Sequence, residues 1–230
     1  MSSKRILVTG ASRGIGLELV KQFVDRGHQV LAISRNTSGL EKLTSGNEHL
    51  NAVEADITKD IGIDKVVGFV NEHWGAVDIV IHNAGALLHK PFKETTLDDF
   101  QRIYEVNVFA VAELSRRLDP FFIDGTHVVA ISSMGGVQGS MKFAGLAAYS
   151  SSKGAVITLM ELLAEEYKER GVLFNTLALG AVQTEMLKEA FPDYKAPVTA
   201  LEMANYISDF ALEGSKVFNG KVLQVSSSTP

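Results

Sequence analysis

Short runs rich in Val, Ile and Leu alternate with longer amphipathic segments from one end of this chain to the other. No other feature leaves less freedom, because it is the pattern of successive β-α-β units wound around a parallel sheet. The runs place strands at 5–9, 29–34, 50–55, 77–82, 126–132, 172–178 and 221–225. Between the first two, Ile15, Leu19, Val20, Phe23 and Val24 recur at helical spacing, and Gly27 follows as a stop. Further helices fit 61–73, 98–118, 149–170 and 200–212. A chain of 230 residues, 46% of them hydrophobic, can bury one substantial core, and no linker or fixed-period repeat interrupts it. The expectation is an α/β fold: a single doubly wound domain over 1–230, with a parallel sheet of about seven strands and helices on both faces. Its ligand should sit at the carboxyl edge of the strands, where the strand order reverses.

Composition narrows the function classes. The formal net charge is −5 and no block of like charges occurs, so neither nucleic acid nor an anionic membrane is expected as a partner. There are no cysteines, which removes disulfides and thiolate sites, and the six histidines show no metal-ligand spacing. No run approaches the roughly 18 to 20 apolar residues of a membrane span, and the N-terminus enters a strand directly. A cytoplasmic protein is expected.

The strand "RILV" runs into "TGASRGIG", residues 9 to 16, which opens the first helix with Gly10, Gly14 and Gly16 interleaved with Ser12, Arg13 and Ile15. Glycines there permit positive φ and close backbone approach, and the helix N-terminus offers free N–H groups to a pyrophosphate. A tight turn of small residues serving packing alone is the competing reading. At the end of the second strand, where nucleotide folds usually carry an acid for a ribose 2′-hydroxyl, stand Ser34 and Arg35. A guanidinium suits a 2′-phosphate, and Arg13 would add a second charge, so NADP(H) is the expected cofactor of this Rossmann domain. Asp56, with Ile57 after it, follows the third strand and either accepts from the adenine amino group or caps a helix. "HNAG" at 82–85 puts Asn83, Ala84 and Gly85 after the fourth strand, where small residues and an amide suit the adenosine ribose.

Together with "VNVFA" at 106–110, "ISS" at 131–133 and "YSSSK" at 149–153, these stretches make the chain resemble the short-chain dehydrogenase/reductase family over about residues 4 to 184. The resemblance implies reduction of a ketone or aldehyde, or the reverse oxidation, which needs a proton for the developing alkoxide. Tyr149 looks like the general acid. Lys153, one helical turn on, is expected to lower the phenol from about 10 towards 7, which takes roughly 4 kcal/mol, and to bind the nicotinamide ribose. Ser133 matches the serine that positions the substrate oxygen, with Ser132 as competitor, and Asn107 matches the asparagine of the proton relay. Gly180, Val182 and Thr184 match positions near the nicotinamide and its phosphate.

The chain departs from its relatives in places. The loop "SMKFAGLAA" between Ser133 and Tyr149 is enlarged, "LGAVQT" replaces the usual Pro-Gly, and Ser226, Ser227 and Ser228 stand where relatives often carry Asp-Gly-Gly. A short substrate lid is expected around 185–199, with Met186, Leu187 and Phe191 either walling the substrate or packing a short helix. By resemblance the protein is an NADPH-dependent reductase of a small-molecule carbonyl, assembled as a homodimer or homotetramer through the helices at 98–118 and 149–170. A 3-oxoacyl-thioester reductase is the alternative within enzymes. A catalytically silent NADP(H)-sensing regulator is the alternative outside them.

Overall fold

The computed structural model describes residues 2–226 of the chain, so Ser227 and Ser228 lie outside the described residues. Seven strands form one sheet in the order β3-β2-β1-β4-β5-β6-β9, every neighbouring pair parallel. The strands are β1 (Arg5–Thr9), β2 (Gln29–Ser34), β3 (Leu50–Glu54), β4 (Val77–His82), β5 (Phe122–Ser133), β6 (Leu173–Leu179) and β9 (Val222–Val225). The helices are α1 (Gly14–Asp25), α2 (Glu41–Thr44), α3 (Asp60–Phe69), α4 (Leu97–Tyr104), α5 (Ala110–Leu118), α6 (Ala147–Glu166), α7 (Glu185–Ala190) and α8 (Ala200–Glu213). Two short strands, β7 (Val182–Gln183) and β8 (Val198–Thr199), pair apart from the main sheet. They and α2 were not legible in the apolar pattern, whereas α7 is the short helix offered as one reading of Met186, Leu187 and Phe191.

Buried parallel strands are apolar on both faces, and β1 shows it: Ile6 and Val8 point into a core with α1 and α8, Leu7 into another with α3, α5 and α6. The chain leaves β1 for β2 and β3, then returns to β4 on β1's other side. That reversal opens a crevice at the carboxyl ends of β1 and β4, the place expected for a ligand.

The sequence predicts one continuous helix over 98–118. Instead, a π-helical turn at Glu105–Phe109 separates α4 from α5. The wide turn coincides with a buried amide that leaves the helix to bond a loop, described below. The helix expected over 61–73 likewise ends in a π-helical turn at Val70–Trp74, closed by Gly75 at φ +65°. The fifth strand is longer than predicted, reaching from Phe122 to Ser133.

Of the buried histidines His28, His82 and His127, the last two make the fold most sensitive to acid. His127 bridges the Ala211 carbonyl and the Asn175 amide at 3.0 Å each, and His82 meets Ser115 Oγ at 2.9 Å. Burial pulls both rings down to about 4. Below pH 6.5 the unfolded chain therefore takes up protons that these rings in the folded state refuse, costing each roughly 3 kcal/mol once pH reaches 4. The melting temperature should fall from pH 6.5 downwards, and His82→Gln should flatten that slope; an unchanged slope refutes the assignment.

Candidate active site

A cleft of about 750 Å³ runs along the carboxyl ends of β1, β2, β4, β5 and β6. At one end is the glycine turn. Gly10 and Gly14 have φ of +67° and +55°, backbone that only glycine adopts without strain. A Cβ on Gly16 would lie 2.2 Å from the Gly10 carbonyl oxygen and 2.5 Å from Asn83 Nδ2, so the turn closes directly on the start of α1. Asn83 braces it: Nδ2 donates to the carbonyls of Thr9 (2.9 Å) and Gly10 (3.1 Å), while Thr9 Oγ1 accepts from the N–H groups of Asn83 and Ala84. No side chain caps α1, which leaves its first-turn N–H groups facing the cleft. The cradle fits a pyrophosphate, since it offers backbone donors and a positive helix end.

Around the turn, Ser34 donates to Ser12 Oγ at 2.8 Å. Arg35 is exposed beside it. Arg13 is not a free charge: its Nη1 pairs with Glu189 Oε1 of α7 at 2.6 Å. Ile15 packs against the core beneath the turn. Asp56 accepts from the N–H and Oγ1 of Thr58; burial opposes its ionisation, but these bonds and the charges of Arg35 and Lys59 hold it below the usual carboxylate range. The Asp56 backbone also receives α3 closely, because a Cβ on Gly62 would lie 2.0 Å from its carbonyl oxygen. Ile57 is buried beneath.

At the other end the predicted reacting groups come together. Ser133 Oγ lies beside the Tyr149 phenol and accepts from the Gly135 N–H at 3.2 Å. Ser132 instead turns away, donating to the Lys153 carbonyl at 2.8 Å, so β5 presents Ser133 and not Ser132 to the cleft. Lys153 is buried, its Nζ donating to the Ile131 carbonyl at 2.8 Å and lying 5.9 Å from the Tyr149 ring centroid. Asn107, in the π-helical turn, is also buried: Oδ1 accepts from the Ala86 N–H at 2.8 Å, and Nδ2 donates to the Ala86 carbonyl and to Ser152 Oγ at 2.9 Å each. Gly85 lies between them, since a Cβ there would be 3.5 Å from Asn107 Oδ1 and 3.6 Å from Lys153 Nζ.

The expected depression of the tyrosine is not seen. Burial pushes the Tyr149 phenol above its ordinary value and the Ser133 hydrogen bond offsets only part of that. The same burial pulls the Lys153 ammonium down to about 8. Desolvation penalises both charged forms, and in this arrangement it outweighs their attraction.

Gly180 donates its N–H to the Val225 carbonyl at 2.9 Å, and a Cβ on it would lie 2.4 Å from Ser226 Oγ, so the tail serine closes over it. Val182 is buried in β7, and Thr184 caps α7 by accepting from the Leu187 N–H at 3.2 Å. Sequence reasoning missed several residues here. Ser152 bridges Asn107 to the Tyr149 carbonyl, and a Cβ on Gly136 would lie 2.5 Å from the Lys153 carbonyl carbon, which lets α6 approach β5. The glycine pair after "ISS" was the available signal for the second. Leu87, Val106, Phe143, Leu146 and Tyr194 join Met186 and Phe191 in lining the outer cleft.

A family model described as short chain dehydrogenase matches residues 4–195. Glucose 1-dehydrogenase of Gluconobacter oxydans is 32% identical over 97% of this chain and 91% of that protein. 3beta-Hydroxysteroid dehydrogenase 1 of Eggerthella lenta is 30% identical over 85% of this chain and 77% of its own length. Among solved structures, 3-ketoacyl-(acyl-carrier-protein) reductase from Brucella melitensis complexed with NADH superposes with a TM-score of 0.86 at 26% identity, over 98% of both chains.

Holding Lys153 charged in the interior costs stability. Its cost is full below about pH 8 and gone above the ordinary lysine value of 10.5. Lys153→Met should therefore raise the melting temperature at pH 7, by the equivalent of roughly 3 kcal/mol, and lose that advantage above pH 10.5. A variant less stable than wild type at pH 7 contradicts this.

Proposed function

Because the chain belongs to the short-chain dehydrogenase family, and so is an oxidoreductase acting on CH–OH or C=O groups, we propose that it is an NADPH-dependent reductase of ketones or aldehydes. The observation that carries the reading is Ser133 beside the Tyr149 phenol with Lys153 buried behind it, in the same cleft as a glycine cradle fit for a pyrophosphate. When bound, the nicotinamide supplies the hydride. Tyr149 gives its proton to the developing alkoxide, and its raised pKa keeps it protonated at neutral pH, which suits the reducing direction. Ser133 holds the substrate oxygen against that phenol. Lys153 binds the nicotinamide ribose and keeps a positive charge beneath the tyrosine below about pH 8. Asn107 anchors the loop at Ala86 to α6 through Ser152, and so sets the wall facing Tyr149.

The cofactor's adenosine end is assigned to Gly10, Ser12, Gly14, Ile15, Gly16, Asp56, Ile57, Asn83, Ala84 and Gly85, with Gly180, Val182 and Thr184 towards the nicotinamide. An exposed Arg35 with no acid at the end of β2 supports NADP(H) over NAD(H). The segment 185–199 serves as the lid. Its Met186, Phe191 and Tyr194 face Leu87, Phe143 and Leu146 in the outer cleft, an apolar enclosure that supports a hydrophobic carbonyl substrate over a sugar.

With NADPH, the wild-type protein should reduce an apolar cyclic ketone such as 1-tetralone with higher kcat/KM than it shows for glucose oxidation. Tyr149→Phe should lose turnover by roughly 10²-fold or more while still binding NADPH. A wild type that binds NADPH but turns over no carbonyl is a sensor, and the reductase reading fails. Equal affinity for NADPH and NADH removes the 2′-phosphate assignment.

Assembly as a homodimer or homotetramer through α4, α5 and α6 completes the proposal. Leu97, Phe109 and Leu162 are 72%, 56% and 63% exposed, and a second copy would cover them. Sedimentation should find a dimer or tetramer at micromolar concentration, shifted to monomer by Leu162→Glu; a monomeric wild type refutes it.

A further inference from the structure

Helix α7 carries two carboxylates one turn apart, Glu185 and Glu189, and both meet the glycine turn. Glu189 Oε1 is 2.6 Å from Arg13 Nη1. A Cβ built on Gly14 would lie 3.3 Å from Glu185 Oε2 and 3.4 Å from the Thr184 methyl. Gly14 is the first residue of α1, so the Glu185 carboxylate stands at the positive end of that helix. The arm that brings these anions in is well anchored. Thr184 caps α7, β7 pairs with β8, and the Phe191 ring packs on His89 with centroids 4.5 Å apart. The segment thus crosses the cleft from the glycine turn to the loop after β4. Glu185 stands where the proposed function puts the pyrophosphate, at the start of α1, and Glu189 takes Arg13, the second charge beside Arg35 that a 2′-phosphate could use.

We propose that α7 is an anionic latch, in which Glu185 and Glu189 hold the phosphate-binding turn in place of a dinucleotide's phosphates, and Glu189 sets how far NADPH is preferred over NADH by occupying Arg13. The proposal rests on the cofactor reading above. Arg13 and Glu189 are 51% and 63% exposed, and a pair so open to water is weak and screened by salt. It therefore yields to a competing phosphate and does not lock the cleft. An NADPH molecule that takes Arg13 must break the ion pair, whereas NADH, lacking the 2′-phosphate, leaves it in place. The latch thus lowers NADPH affinity selectively, because a ligand shifts an equilibrium only by its differential interaction with the two states. Displacing Glu185 is required of both nucleotides.

The test is a double-mutant cycle on the full chain, with dissociation constants for NADPH and for NADH measured by nucleotide fluorescence in low salt. Glu189→Gln should tighten NADPH about two- to five-fold and leave NADH unmoved. In an Arg13→Met background the same substitution should do nothing to NADPH. Glu185→Gln should tighten both nucleotides. A Glu189→Gln effect equal for the two nucleotides, or one that persists without Arg13, reports general charge repulsion and overturns the latch. No effect of Glu189→Gln overturns it as well. Failure of the cofactor reading looks different: the wild type then binds neither nucleotide, or binds both equally with Arg13→Met changing neither, and the latch falls with it.

Discussion

One side-chain amide ties the cleft together. Asn83, at the end of β4, donates from a single nitrogen to the carbonyls of Thr9 and Gly10, while the Thr9 hydroxyl accepts from the backbone that follows β4. These bonds fix the glycine turn to the neighbouring strand across the point where the sheet changes direction. The start of α1 can then press against Gly10 only because Gly16 has no side chain. Every other functional position is referenced to that stitch, through β4 to the Gly85–Ala86 loop, and from there through Asn107 and Ser152 to α6.

The reacting end is built against its own stability. A phenol and an ammonium are both desolvated at the floor of the cleft, each pushed towards its neutral form. Their compensation is local: Lys153 finds the Ile131 carbonyl and Tyr149 finds Ser133. Neither bond repays the whole penalty.

Much of this was legible in the residues. Strands such as 29–34 and 77–82 announced themselves because a strand buried on both faces is an unbroken apolar run. The glycine turn, Ser133, Tyr149 and Lys153 were legible because the chemistry demands those residue types at strand and helix ends. The choice between Ser132 and Ser133 was not, since adjacent strand residues face opposite ways and the sequence does not say which way is inward. Nor was the pairing of Arg13 with Glu189, a contact between residues 176 positions apart that depends on where α7 comes to rest. The direction of the Tyr149 shift was missed for a similar reason: four-residue spacing reveals the neighbouring charge, while burial, the larger effect, belongs to the folded surroundings.

The wide turn at Glu105–Phe109 amounts to one extra residue spliced into what would otherwise be a continuous rod from Leu97 to Leu118. Excising a single position there would close the turn back to α-helical geometry with α4 and α5 nearly in phase, and would withdraw the Asn107 amide from Ala86 and Ser152. Chain length at this one spot is thus what frees one amide from the helix to hold the loop beyond β4.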